Sequence, residues 1–262
     1  MAGRQNECLR CNSGPGWFAS FRLWILTYVR RFLCERAAAN ITPTQWLGSL
    51  LHLPQSTAIP HGLELRETMS HPEPRSLPPM IAFQGRLVTT KGVRILFEAA
   101  RILRQQGRPF ELLIIGEGPE RMSLEKFARE EQLEAQVRFL GRLDGDALNS
   151  TLGQCSVVVV PSLGGEVFGL VVAENMLRAL PVVASDLGAF VEVLGDAGFT
   201  FRTGDAAALA AALTRLLDDP PLAAHMGQRA RERALDFCNR ERMLASHADV
   251  YRRVHKLSLG LD

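Results

Sequence analysis

The 262 residues of this chain can form one large domain or two small ones. Hydrophobic residues make up 47% of the sequence, enough for a substantial core, which argues against wholesale disorder. Because the formal net charge is only +2, we expect no nucleic-acid partner. Five cysteines and a charged start without an early apolar stretch favour a reducing compartment, so we expect a cytoplasmic protein.

Residues 17–33 have the apolar spacing of a helix, yet they carry Arg22, Arg30 and Arg31. The segment is too short and too charged for a comfortable membrane span. We favour a helix packed in a domain core. The alternative is a helix lying in the membrane interface at the cytoplasmic face, with its aromatic side in lipid and its arginines on anionic headgroups.

The chain divides into four predicted parts. Residues 1–65 hold a helix and short strands, and residues 66–79 contain four prolines and are typical of a linker. Residues 80–239 alternate between strands and helices, and residues 240–262 are predicted to form a C-terminal helix.

The alternation after residue 80 predicts an α/β, Rossmann-like domain, in which a parallel sheet carries helices on both faces. The predicted strands are 39–42, 57–60, 80–84, 110–115, 136–140, 156–160, 182–184 and 198–201. The predicted helices include 43–51, 93–106, 169–180, 190–194, 205–217, 221–235 and 240–256, with two more that end near 131 and 153; Asp144 and Asp205 are predicted caps. Ligands of such sheets bind beyond the carboxyl ends of the strands, so the loops there are the candidate site.

Two cations follow the strand at 80–84, in the loop that runs from Gly85 through Arg86 to Lys91. A pair of cations at the start of a helix can clamp a diphosphate and stabilise charge on a leaving nucleotide. The alternative is a solvated loop with two surface cations.

Two glutamates, Glu166 and Glu174, flank a predicted helix start at Phe168, Gly169 and Leu170. The free N–H groups and the positive end of such a helix can bind phosphate oxygens. Glu166 can accept hydrogen bonds from sugar hydroxyls, and Glu174 from the two hydroxyls of a ribose. The alternative for Glu174 is a solvent-facing position, although its apolar neighbours predict burial, which a carboxylate tolerates only with a partner.

Three motifs occur in order along the chain: Gly85-Arg86…Lys91-Gly92, Gly116-Glu117-Gly118-Pro119, and Pro161-Ser162…Glu166-Val167-Phe168-Gly169-Leu170…Glu174. Together they resemble the donor-sugar domain of GT-B glycosyltransferases, most closely the large retaining family 4, the glycosyl transferases of group 1. The resemblance covers about residues 78–250. Residues 1–65 resemble only the tail of the acceptor-binding domain, so we expect a truncated chain.

The resemblance implies retaining, metal-independent transfer of a hexosyl group from a nucleoside-diphosphate sugar, with no other cofactor, to a hydroxyl of a glycan, lipid or small molecule. It implies that Arg86 and Lys91 hold the diphosphate, that Glu166 binds the sugar, and that Glu174 binds the ribose, the first three being catalytic. The other implied donor-binding residues are Gly85, Gly116, Arg142, Leu143, Phe168, Gly169 and Leu170. Arg142 and Leu143 are expected near the nucleobase.

Several alternatives stay open at this point. The chain could be a nucleotide-sugar-binding module or an inactive fragment, and the sequence does not fix the base, the sugar or the acceptor.

Cys8 and Cys11 are spaced like half a zinc site, but we expect structural cysteines. Asp144-Gly145-Asp146 is spaced like a metal-binding Asp-x-Asp motif, but we expect a turn and helix cap.

Overall fold

The computed structural model describes residues 17–64 and 77–259. The described parts of residues 1–62 and 238–262 form one compact unit, and those of residues 63–237 form a second. Most of the predicted linker at 66–79, and the Cys8-x-x-Cys11 motif, lie outside the described residues.

The elements follow the predicted order closely. The strands are β1 Asn40–Thr42, β2 Ser56–Ala58, β3 Met80–Gln84, β4 Glu111–Ile115, β5 Val137–Gly141, β6 Val157–Val160, β7 Val182–Ser185 and β8 Phe199–Phe201. The helices are α1 Trp17–Arg36, α2 Gln45–Leu51, α3 Val93–Gln105, α4 Arg121–Glu130, α5 Gly145–Gly153, α6 Leu170–Leu177, α7 Gly188–Leu194, α8 Ala206–Asp218, α9 Pro220–Phe237 and α10 Arg240–Leu259.

The second unit contains a six-stranded sheet in the order β5-β4-β3-β6-β7-β8, and every pair of neighbours is parallel. Its central strands are largely apolar, as in β6, whose four valines are all buried. Continuous burial requires helices on both faces of the sheet. This architecture confirms the predicted parallel α/β fold.

Aromatic residues fill the space between the sheet and its helices. Phe97 of α3 is fully buried and lies 6.2 Å from the ring of Phe127 in α4 and 5.9 Å from that of Phe139 in β5. The guanidinium of Arg94 lies over the Phe127 ring, 3.6 Å from its centroid. Burying one such side chain stabilises the fold by roughly 1.5–3 kcal/mol, so this cluster fixes α3 and α4 on the sheet.

One helix end and one predicted helix cap differ from prediction in an informative way. α6 stops at Leu177 rather than at residue 180, because Ala179 adopts a left-handed conformation with φ of +55°. The Leu180 N–H then donates to the carbonyl of Asn175 at 3.1 Å, which closes the helix end. Asp205 caps α8 as predicted, but the side chain of Asp144 forms no capping hydrogen bond with α5.

α1 forms as predicted, but our preferred interpretation of it was wrong. All residues from 24 to 33 are exposed, including Trp24 at 66% and Tyr28 at 64%, so this face is not packed in a core. Of the helices that the structure describes, none has the length and apolarity to span a bilayer.

The loops at the carboxyl edge of the sheet are in backbone contact. Gly85 N–H donates to the carbonyl of Ile115 at 2.9 Å, and Leu87 N–H donates to that of Glu117 at 2.9 Å. A β-carbon at Gly118 would lie only 2.3 Å from the carbonyl oxygen of Leu87. Glycine at 118 therefore permits the loop after β4 to lie against the loop after β3.

We predict that Gly118→Ala lowers the free energy of unfolding by about 1–3 kcal/mol, because the added methyl group must displace backbone. Gly153→Ala is the matched control, since neither glycine has a positive φ and a β-carbon at Gly153 would have no atom within 4 Å. Urea denaturation of both variants measures the difference. Equal stabilities would show that the two loops are not tightly packed.

Candidate functional site

The direction in which strands are added to the sheet reverses between β3 and β6. In open α/β sheets, a crevice opens at the carboxyl edge where this reversal occurs. The loop at 85–92 follows β3, and the loop at 161–169 follows β6. A hydrogen bond of 2.8 Å from the Leu163 N–H to the carbonyl of Thr90 joins the two loops at this edge.

An ion pair links the same two loops. Lys91 Nζ lies 2.5 Å from Glu166 Oε1, and the two side chains are only 28% and 12% exposed. Ser162 Oγ donates to the same oxygen at 2.7 Å. Glu166 Oε2 has no partner among the described residues and is not fully buried, so it can accept a hydrogen bond from a ligand.

Ser162 is a site residue to which the sequence analysis assigned no role. It is fully buried, and its own carbonyl accepts a hydrogen bond of 2.6 Å from Ser185 Oγ at the end of β7. The sequence placed it in the Pro161-Ser162…Glu166 motif, four residues before Glu166, but did not indicate this contact. The orientation of the Glu166 carboxylate thus depends on contacts with Lys91, on one loop, and Ser162, on the other.

The predicted helix start lies next to this pair. Gly169 occupies the N-cap position of α6 with φ of +97° and provides no side-chain cap, so no side chain at this position competes with a ligand for the N–H groups of the first turn. A β-carbon there would lie 2.7 Å from the ring of Phe190, which gives a packing reason for glycine in addition to the expected approach of a phosphate. The Phe168 side chain is buried and stacks on Phe237 at 6.2 Å, so it does not face a ligand.

Glu174 is half-buried on α6, rather than solvent-facing. Burial lowers the pKa of Arg178, one turn further on, whereas the nearby Glu174 carboxylate raises that pKa. The Arg178 guanidinium also donates two hydrogen bonds to Asn149 Oδ1, at 3.2 and 3.0 Å. The sequence analysis missed Arg178, because an arginine near a helix end is usually a solvated residue.

The remaining predicted residues are spread along the carboxyl edge. Arg86 and Arg142 are exposed, and their side chains form no hydrogen bond or ion pair with any residue that the structure describes. Gly116 and Leu143 are half-buried, and the Gly116 N–H donates to the carbonyl of Gly141 at 2.7 Å. β5 and β6 are three strand spacings apart, roughly 14 Å, so Arg142 and Leu143 lie on the β5 side of this edge rather than beside Glu166.

The polar side chains of the site are not grouped as the ligands of a metal ion are. Within residues 17–64 and 77–259, no three His, Cys, Asp or Glu side chains converge as metal ligands would. Asp144 and Asp146 are both exposed at the start of α5. The arrangement can bind a polyanion through its cations and helix terminus, and a hydroxyl through its carboxylates.

Comparison with known proteins gives a consistent assignment. Residues 66–233 match the family described as glycosyl transferases group 1. A phosphatidyl-myo-inositol mannosyltransferase of Mycobacterium leprae is 33% identical over 208 residues, which are 74% of this chain and 48% of that protein.

Solved structures share the fold. The sucrose-phosphate synthase of Thermosynechococcus elongatus superposes with a TM-score of 0.77 at 28% identity, covering 88% of this chain and 62% of that one. Anabaena HepE, solved in complex with UDP and glucose, gives a TM-score of 0.74 at 21% identity, covering 87% and 66%. These matches confirm the predicted GT-B type of fold. The chain spans 36% to 55% of the length of the curated relatives it matches.

We predict that Lys91 and Glu166 are energetically coupled in the ligand-free protein. In a double-mutant cycle with Lys91→Met and Glu166→Gln, the coupling should be about 1 kcal/mol, because both groups are largely shielded from water. The pair Lys126–Glu130, with side chains 70% and 57% exposed, is the control and should give a coupling near zero. Coupling for Lys91–Glu166 as small as for the control would contradict the contact.

Proposed function

Because this chain belongs to the glycosyl transferases group 1 family, we propose that it binds a nucleoside-diphosphate sugar in the crevice between β3 and β6. It would act there as the donor half of a retaining hexosyltransferase. The observation that carries this proposal is the contact between Lys91 and Glu166, which brings a cation and a hydroxyl acceptor together beside a helix N-terminus. The Anabaena neighbour, with its UDP and glucose, supports a donor of this class.

The diphosphate would bind on the cationic side of the crevice. Lys91 has two further N–H groups beyond the one that bonds to Glu166, and Arg86 has its whole guanidinium available. The first-turn N–H groups of α6, from Leu170 onward, would add the partial positive charge of the helix end.

The sugar and the nucleoside would bind on either side of the diphosphate. Glu166 Oε2 would accept a hydrogen bond from a hexose hydroxyl, and Glu174 would accept from the ribose. Arg142 and Leu143 would lie toward the nucleobase, on the side of β5. Acceptance by two separate carboxylates gives the site a means to select hydroxyl-rich groups at both ends of one ligand.

In the transfer step, the bond from the anomeric carbon to the phosphate oxygen breaks, and its electron pair leaves with the diphosphate. The acceptor hydroxyl attacks from the same face, its oxygen bonds to the anomeric carbon, and its proton is released to the departing diphosphate. Arg86, Lys91 and the α6 terminus would stabilise the charge on the leaving group. Since these groups supply the positive charge, we propose that turnover survives EDTA.

The second candidate is a nucleotide-sugar-binding module without turnover. The observation that favours it is that every side chain assigned above has a role toward the donor, and donor binding alone would account for the Lys91–Glu166 contact. Incubation with radiolabelled nucleotide-sugars separates the candidates, because a module retains the intact donor, whereas a transferase releases nucleoside diphosphate. NMR of the anomeric proton in any product would test retention of configuration.

We further propose that α1 rests on a lipid surface at the cytoplasmic face, where a lipid acceptor would also be found. Its exposed apolar residues, among them Trp24, Tyr28 and Phe32, occupy one side of the helix at 3.6 residues per turn. Arg30 falls on the opposite side, whereas Arg31 lies at the border of the apolar side, about 20° around the helix from Trp24.

We predict that Glu174→Ala weakens binding of every nucleotide tested, because it removes the ribose contact, by roughly 10-fold. Glu166→Ala should mainly reduce discrimination between sugars. Calorimetry with UDP, GDP and ADP, and with a glucose and a mannose ester of each, measures both effects. Unchanged affinity of both variants for every ligand would refute the proposed site.

We also predict that the chain binds vesicles containing phosphatidylglycerol more tightly than vesicles of phosphatidylcholine alone. Tyr28→Ser should weaken this binding several-fold. Tyr251→Ser, at a tyrosine of α10 with 67% exposure against 64% for Tyr28, is the control and should not. Co-sedimentation measures the difference, and equal losses in both variants would argue against a lipid-facing α1.

A further inference from the structure

A hydrogen bond between two side-chain amides joins helix α6 to the end of strand β3 at the candidate site. Asn175 follows Glu174 on α6 and is completely buried. Its Nδ2 lies 2.8 Å from the carbonyl oxygen of Val171 and 3.2 Å from Oε1 of Gln84. Gln84 is the last residue of β3 and directly precedes the loop that carries Arg86 and Lys91.

The chemistry of these contacts fixes the orientation of both carboxamides. The carbonyl of Val171 can only accept, so the Asn175 atom facing it must be the nitrogen. The second hydrogen of that nitrogen points to Gln84, so the Gln84 atom facing it must be the oxygen. The NH₂ group of Gln84 is therefore directed away from Asn175.

The NH₂ group of the Gln84 side chain is a hydrogen-bond donor that no described residue uses. Its Nε2 has no hydrogen-bond partner among the described residues, and it is not one of the fully buried polar atoms. Gln84 is half-buried, beside the point where the strand order reverses. By contrast, Asn175 Oδ1 is fully buried and has no hydrogen-bond partner in the described part of the chain, a cost that a purely structural asparagine does not explain.

We infer that Gln84 is a further donor-binding residue, and this inference rests on the proposed function. Its NH₂ group donates a hydrogen bond to an oxygen of the bound nucleotide-sugar, either on the diphosphate or on the hexose. Asn175 is a positioning residue, because its own NH₂ group holds the Gln84 oxygen inward and so directs the Gln84 nitrogen outward. The contact also ties β3 to the helix that carries Glu174.

The test compares Gln84→Met with Gln84→Glu. Methionine removes the donor and should raise the Kd about 3- to 10-fold. Glutamate keeps an acceptor for Asn175 but presents a carboxylate oxygen to the ligand, so it should weaken binding further, by roughly 10-fold or more, with little change in melting temperature. If Gln84 had only a structural role, Gln84→Met would raise the Kd more than Gln84→Glu, because only glutamate keeps an acceptor for Asn175.

Asn175→Ala tests the positioning role. It should raise the Kd about 2- to 3-fold when Gln84 is present, and it should have no effect on Kd in the Gln84→Met background. Gln132→Glu makes the same change of charge at an exposed residue before β5, on the opposite edge of the sheet, and should leave the Kd unchanged.

All variants are titrated calorimetrically with whichever of UDP, GDP and ADP binds the unmodified chain most tightly, and with the glucose and mannose esters of that nucleotide. Loss of affinity for the nucleotide-sugars alone assigns the hydrogen bond to the hexose, and an equal loss for the diphosphate assigns it to phosphate. If the unmodified chain binds these ligands and both Gln84 variants bind equally well, the inference fails while the proposed function stands. If the unmodified chain binds none of them, the proposed function fails and the inference with it.

Discussion

The ion pair between Lys91 and Glu166 is the contact on which the candidate site depends. It connects the loop after β3 with the loop after β6, the two segments that diverge where the strand order reverses. Neither charge is well solvated, so each would be costly to bury without the other. A ligand that approaches this pair therefore meets a cation and a carboxylate that are already oriented, and little further ordering is needed on binding.

A second set of polar contacts surrounds the ion pair and also holds neighbouring segments of the carboxyl edge together. Ser162 donates a hydrogen bond to Glu166 and accepts one from Ser185 at the end of β7. The segments that follow β6 and β7 therefore both help to orient the Glu166 carboxylate. On the other side, Gln84 and Asn175 connect β3 to α6. Buried polar networks fix unique geometries, since a partly satisfied network is costly. Here they hold the ends of strands and helices whose interiors are otherwise apolar.

The sequence predicted the fold well, because the fold follows from local patterns, and the same patterns named the loops that the candidate site is built from. Four consecutive valines in β6, and glycines where strands meet helices, are visible without coordinates. The contacts between side chains could not be predicted from the sequence. The ion pair joins positions 75 residues apart, and the Gln84–Asn175 bond joins positions 91 apart, so neither has a local signature. The error on α1 has a similar cause, since apolar periodicity shows which side of a helix is apolar but not what covers it.

The most direct measurement of the central claim is a crystal structure of this chain with the best-binding nucleoside-diphosphate hexose. The account predicts that a diphosphate oxygen lies within about 3 Å of Lys91 Nζ and that a hexose hydroxyl lies at the same distance from Glu166 Oε2. The nucleoside should extend along the carboxyl edge toward β5. A ligand bound at the amino edge of the sheet, or a Lys91–Glu166 pair left untouched by a ligand seated elsewhere, would contradict it.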